Sequence, residues 1–162
     1  MTTDTLESRE HLTKFLSQNS IGVLATTTKE GVPHAATIYF TFDQQFNIYF
    51  ITKRDTQKSR NLALNPRAAM AIFEPSTQTT VQAEGTVTEV ANTPQTEWIF
   101  TAIWRAAFQS SSAAPPLTRL TAGGYVIYKL SAPSIRIATY SQANPEDYDK
   151  IFEVVYTQPT LH

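Results

Sequence analysis

The chain has 162 residues, 41% hydrophobic and 11% aromatic, with a formal net charge of −1 and no cysteine. That length suits one globular domain, residues 1–162, with a real core. The near-neutral charge argues against a general nucleic-acid binder, and the lack of cysteine removes thiol catalysis, thiolate metal sites and disulfides. No run approaches the about 18 apolar residues of a membrane span, so a cytoplasmic protein without membrane contact is expected.

Residues 4–18 predict a helix, with Asp4 and Glu7 spaced as a capping box and Leu12, Phe15 and Leu16 on one face. Ile21 to Thr28 and Pro33 to Phe42 predict an antiparallel hairpin around Lys29-Glu30-Gly31. In its second strand Ala36, Ile38, Phe40 and Phe42 alternate with Thr37, Tyr39 and Thr41, so one face is core and the other can meet a ligand or a partner.

The segment 47–66, NIYFITKRDTQKSRNLALNP, is the candidate functional stretch. Ile48 to Ile51 have strand character, Lys53, Arg54 and Asp55 make a turn, and Thr56 is an N-cap for a helix ended by Asn65-Pro66. A helix start disfavours cations by about 0.3–1 kcal/mol each, yet Lys53, Arg54, Lys58 and Arg60 crowd it. A bound anion held by free amides, the Thr56 and Ser59 hydroxyls and the Lys58 ammonium would resolve that conflict. A solvated basic turn is the alternative.

Ala68 to Phe73 and Thr80 to Val90 predict further strands, the second with an interior Gly85 that suggests a bulge or a close backbone approach. Residues 94–109 predict a helix with Pro94 at its first position and apolar nearly all round, as expected of an interface between two subunits, with Trp98 and Trp104 in the interface core. Ser110 to Pro116 reads as a connector, and 124–140 as two closing strands. The tail, 141–162, holds Ile151, Phe152, Val154, Val155 and Tyr156 and is expected to pack on a subunit surface. His11, His34 and His162 are too scattered for a zinc site, and each reads as a surface residue. The strand count with two or three helices predicts a small β-barrel with the helices at its ends.

Four pieces in order, IGVLATTTKEGVPHAATIYFTFD, NIYFITKRDTQKSRNLALNP, RAAMAIFEP and TTVQAEGTVTEV, together resemble the pyridoxamine 5′-phosphate oxidase-like FMN-binding split barrels over about Ile21 to Val90. The resemblance implies a mainly β fold with flanking helices, a split barrel of six to seven antiparallel strands of Greek-key type with its core in 21–90. It also implies a homodimer with FMN at the subunit interface: Thr37 and Ile38 along the ring, Ile51 and Thr52 beside the ribityl chain and phosphate, Thr56, Gln57 and Lys58 completing the phosphate site, and Thr80 at a ring-contacting position. On this reading the chain is an NAD(P)H-linked flavin-dependent oxidoreductase acting on an unknown small molecule. Two alternatives are a reductase dependent on F420, a cofactor whose acidic tail would draw on Lys53 and Arg54, and a non-catalytic flavin- or haem-binding sensor, haem with His34 as its ligand being the least favoured.

The chain also departs from the oxidase pattern. Ala36 and Gln57 stand where the oxidase has Arg, Thr41 where it has Lys, and Thr80 where it has Gln. Each lost charge-assisted bond costs about 1.5–3 kcal/mol, or about tenfold in FMN affinity, unless Arg54 or Arg60 compensates. The substrate-phosphate Arg and His have no counterpart in the end EVVYTQPTLH, so vitamin B6 oxidation is not expected.

Overall fold

Strand alternation builds the architecture. In β1 (Ile21–Thr27), Gly22, Leu24 and Thr26 point inward while Ile21, Val23 and Ala25 point out. The computed structural model describes residues 4–109, 124–142, 144, 146 and 151–157. Seven more strands follow: β2 (Pro33–Phe42), β3 (Ile48–Lys53), β4 (Arg67–Glu74), β5 (Thr79–Val90), β6 (Tyr125–Ser131), β7 (Ser134–Thr139) and β8 (Glu153–Tyr156). All pair antiparallel in the order β4-β1-β2-β3-β6-β5-β7-β8, and a β4–β5 pairing closes the first six into a barrel. The split barrel is therefore present, with two strands outside it.

The split is made on β5. One edge of β5 pairs with β4; the other pairs with β6 through Thr86–Val90 and with β7 through Thr79–Ala83. Glu84 and Gly85 fall between those two registers. A Cβ at position 85 would lie 2.1 Å from the Ser131 carbonyl oxygen, so only glycine lets the chain turn from β6 into β7 here. Gly85 is thus the close backbone approach its place in the strand suggests.

Leu24, Ile38, Phe40, Phe50, Ile72, Val81, Leu130 and Ile135 fill the barrel, and Leu12, Phe15 and Leu16 of α1 (Leu6–Gln18) join the same core. Burying each is worth about 1.5–3 kcal/mol. The cap of α1 lies one residue later than the Asp4–Glu7 spacing suggests: Thr5 and Ser8 form the capping box, each side chain bonding the other's backbone N–H. Asp4 instead pairs with Arg9 at 2.8 Å and accepts from the Tyr156 N–H at 3.3 Å.

That contact sits beside the described part of the tail. Val154 and Val155 form β8 on the outer edge of β7, with Val155 opposite Ile135, and are buried against their own chain. An uncovered β7 would present an open strand edge; β8 covers it and leaves as the edge a strand of only 4 residues. His11 on α1 meets Glu153 at 3.1 Å, so it is a paired residue rather than a free surface one.

The helix expected at a subunit interface, α3 (Glu97–Gln109), follows a 3-10 turn at Pro94–Thr96 and packs on its own barrel. Ile99, Ile103 and Ala107, four residues apart, cover Ile51 and Ile127. Trp98 meets Tyr49 edge-on at 5.4 Å, and Phe100 lies between Tyr125 and Trp104. Even so, Trp98 and Phe108 keep 43% and 47% of their surface exposed, so the helix leaves part of its apolar surface open among the described residues. The connector Ser110 to Pro116 and His162 lie outside the described residues.

Candidate functional site

β3 ends and α2 (Gln57–Leu64) begins at the corner that the sequence marks out. Thr56 is the N-cap in extended backbone (φ −79°, ψ 158°), its hydroxyl oxygen accepting from the Ser59 N–H at 3.4 Å. Thr52, Thr56 and Lys58 gather within that turn: the Lys58 ammonium donates to the Thr52 hydroxyl at 3.1 Å, which lies 3.3 Å from the Thr56 hydroxyl. Burial pushes the Lys58 ammonium below the ordinary lysine value, and among the described residues no carboxylate pairs with it. A half-buried cation without a counter-ion, beside the positive end of a helix, is an anion-seeking arrangement.

The donors are fewer than the sequence suggests. Ser59 is buried and donates to the Lys53 carbonyl at 2.9 Å, so its hydroxyl does not face a ligand. Arg54, offered as a compensating cation, is held by Glu89 at 2.8 Å, and the Arg60 guanidinium donates to the Gln57 side chain at 3.1 Å. Lys58, Lys53 and the Gln57 and Lys58 amides remain for an anion.

The other expected contacts spread over the barrel. Thr37 is exposed on the outer face of β2, and a cross-strand row runs from it through Val23 and Ala71 to Gln82. Thr80, half-buried, lies on β5 opposite Phe73. Ile38 is in the barrel core and Ile51 lies under α3, so each offers backbone rather than side chain to a ring.

Two polar groupings escaped the sequence reading. Asn61 is buried and donates to the Thr26 hydroxyl at 3.0 Å while accepting from the Gln57 amide at 2.8 Å, which ties α2 to β1. The signal for it was an asparagine four residues after Gln57, on the inward face of the helix. Asp43 accepts from the Tyr49 hydroxyl and the Asn47 amide, both at 2.8 Å. Burial, then the hydrogen bond to Asp43 and its charge, push Tyr49 up to about 12. His34 is half-buried at the hairpin end, its Nδ1 buried without a hydrogen-bond partner. Among the described residues no cluster of three metal-ligating side chains exists.

Residues 8–129 match the family described as pyridoxamine 5′-phosphate oxidase. The chain belongs to that family. A curated member, the pyridoxine/pyridoxamine 5′-phosphate oxidase of Pseudomonas paraeruginosa, is 36% identical over 67 residues, 41% of this chain and 31% of its own length. The chain therefore spans about a third of that curated relative. Solved structures with the same fold include a haem-binding protein from Mycobacterium smegmatis (TM-score 0.69, 17% identity, 93% of this chain and 58% of that one). They also include a pyridoxamine 5′-phosphate oxidase-related, FMN-binding protein from Nostoc punctiforme (TM-score 0.56, 15% identity, 95% of each chain) and an F420 reductase (TM-score 0.60, 21% identity, 75% of this chain and 93% of that one). At these identities the likeness to the solved structures is one of fold. Solved structures of this shape thus include proteins described as binding FMN and haem and a reductase named for F420. Among the described residues no helix is long and apolar enough to cross a membrane.

Proposed function

We propose that this member of the pyridoxamine 5′-phosphate oxidase family is an FMN-binding oxidoreductase that takes electrons from NADH or NADPH and passes them to a small molecule. The observation that carries this reading is Lys58: half-buried, without a carboxylate partner, and aimed with Thr52 and Thr56 at the start of α2. The residues fit a flavin phosphate at that corner, Lys58 supplying charge and the Gln57 and Lys58 amides supplying N–H donors. When bound, the flavin ring would supply the electron-transfer chemistry; the protein would hold the phosphate, exclude water and present the Thr37 side of β2.

A second copy of the chain completes this reading. On the outer face of β1 and β4, Ile21, Val23 and Phe73 expose 40%, 44% and 62% of their surface among the small residues Ala25 and Ala71. A flat apolar face next to Thr37 suits a homodimer whose boundary shelters the ring. The Trp98 and Phe108 side of α3 would lie at or near its rim.

The F420 alternative keeps the same phosphate corner but loses Arg54 to Glu89, leaving Lys53 as the cation for an acidic tail. The haem alternative rests on His34, whose Nδ1 is buried within the hairpin. FMN suits the site better than either. The test is a fluorescence titration with FMN and the visible spectrum of the purified protein. Lys58→Ala is expected to weaken FMN about tenfold or more. A wild-type protein that shows no flavin bands and does not bind added FMN refutes the proposal, and bound flavin that stays oxidised with excess NADH and NADPH refutes the oxidoreductase part.

A further inference from the structure

On the opposite side of β4 from β1, where β5 changes partners, the sheet holds an open cleft of about 640 Å³. Its floor is the seam around Gly85 and Ser131, the place where β6 departs and β7 arrives. Two arginines, Arg67 and Arg136, line it. Arg136 on β7 is held in place, donating to Glu84 at 3.0 Å and lying 5.9 Å from the centre of the Phe152 ring. Arg67 at the start of β4 is exposed, and among the described residues no carboxylate pairs with it. Val154 and Tyr156 of β8 form a largely apolar wall, and Ser134 of β7 also lines the cleft. A smaller groove of about 340 Å³ shares Arg67 and Glu84 and reaches Ala25 and Pro33.

We propose that this cleft is a second binding site, separate from the α2 corner, and that it takes a monocarboxylate with a small apolar body. The charge of the lining selects the ligand class. Two guanidiniums and one carboxylate leave one net positive charge, which matches a carboxylate. A phosphate monoester carries about −1.5 to −2 at neutral pH and would leave part of its charge facing Glu84. A planar guanidinium also meets a planar carboxylate with two parallel N–H···O bonds. Arg67 is free to do so, while Arg136 is already committed to Glu84 and serves as a fixed neighbour. The apolar body lies against Val154 and Tyr156.

The site depends on β8. Without that strand the wall is missing and Arg136 loses the Phe152 ring that precedes it. The cleft is therefore built by the C-terminal segment closing over the split, a feature that the barrel alone does not supply.

The experiment is calorimetric titration of the full-length protein with sodium benzoate, alongside benzamide as the neutral isostere and inorganic phosphate as the competing anion. Benzoate is expected to bind, with benzamide and phosphate each weaker by about tenfold or more. Arg67→Gln should weaken benzoate by about tenfold, and Glu84→Gln should tighten it, because a repelling carboxylate is removed and Arg136 is released. Neither change touches the core, and FMN titration of Arg67→Gln should match the wild type, since residue 67 lies beyond the far end of α2. Absence of benzoate binding overturns the proposal, as does equal binding of benzamide or of phosphate. A benzoate affinity indifferent to Arg67→Gln overturns it too, whatever the outcome of the FMN experiments.

Discussion

Asn61→Leu offers the sharpest test of how the anion corner is held. Asn61 is buried, donates to the buried Thr26 hydroxyl at 3.0 Å and accepts from the Gln57 amide at 2.8 Å. Leucine keeps the branched shape but is larger, and it removes both bonds. The stranded Thr26 hydroxyl costs about 1–3 kcal/mol, whereas Gln57 is exposed and transfers its amide to water at little expense. Leucine's better helix propensity offsets about 0.5 kcal/mol, so a net loss of about 0.5–2.5 kcal/mol is expected. Thr26→Val should cost a similar amount by stranding the Asn61 amide. The double variant removes donor and acceptor together and should cost less than the sum of the singles by about 1 kcal/mol or more. Guanidinium denaturation followed by circular dichroism measures all three, with unchanged m values as the sign that one transition is being compared. FMN affinity should fall in Asn61→Leu and partly recover in the double variant if this bond anchors the helix start. Strict additivity of the two stability losses would refute the reasoning, because two groups that satisfy each other cannot be independent.

Other consequences are equally open to measurement. Gly85→Ala places a methyl group 2.1 Å from a backbone carbonyl that cannot swing away; a loss of about 3 kcal/mol is expected in the same denaturation assay, and a neutral result would mean that the seam is not tight. Val23→Glu with Phe73→Glu should convert a dimer to a monomer in sedimentation while changing the stability of the isolated chain by only about 0.5 kcal/mol per site, and an unchanged mass would remove the β1–β4 face from consideration. Burial lowers the Lys58 ammonium in the free protein, so the fold favours its neutral form and gains stability as pH rises through that lowered value. A bound phosphate favours the charged form and reverses the shift. FMN affinity should therefore decline on approaching the lysine range from below, starting earlier than for an ordinary lysine, and Lys58→Arg should flatten the decline. A profile identical in the two proteins would show that residue 58 does not carry the charge that matters.

Much of the molecule can be read from local chemistry. The hairpin of β1 and β2, the strand-turn-helix at Thr56 and the alternation along β5 each follow from a period of two, a cap or a turn residue, and these signals lie within a few residues of one another. The importance of Gly85 was legible for the same reason: an interior strand glycine asks for a close approach. The α1 cap was misplaced by one residue because Asp4 and Thr5 both suit an N-cap, and what separates them is Asp4's contact with Arg9 and Tyr156.

Partnership across the chain is a different matter. Composition marked α3 as too apolar for water, but only the packing of Ile99, Ile103 and Ala107 on Ile51 and Ile127 assigned one face to its own barrel. The apolar tail likewise had a partner in β7 that nothing near residue 154 announces. Arg54 and Ser59 looked like ligands for an anion until Glu89, 35 residues away, and the Lys53 carbonyl claimed them. The sequence by itself determined where strands, caps and cations stand, because those depend on neighbours in the chain. Only the tertiary structure decided which cations stay unpaired and which apolar faces stay open, because desolvation and pairing depend on atoms that folding alone brings together.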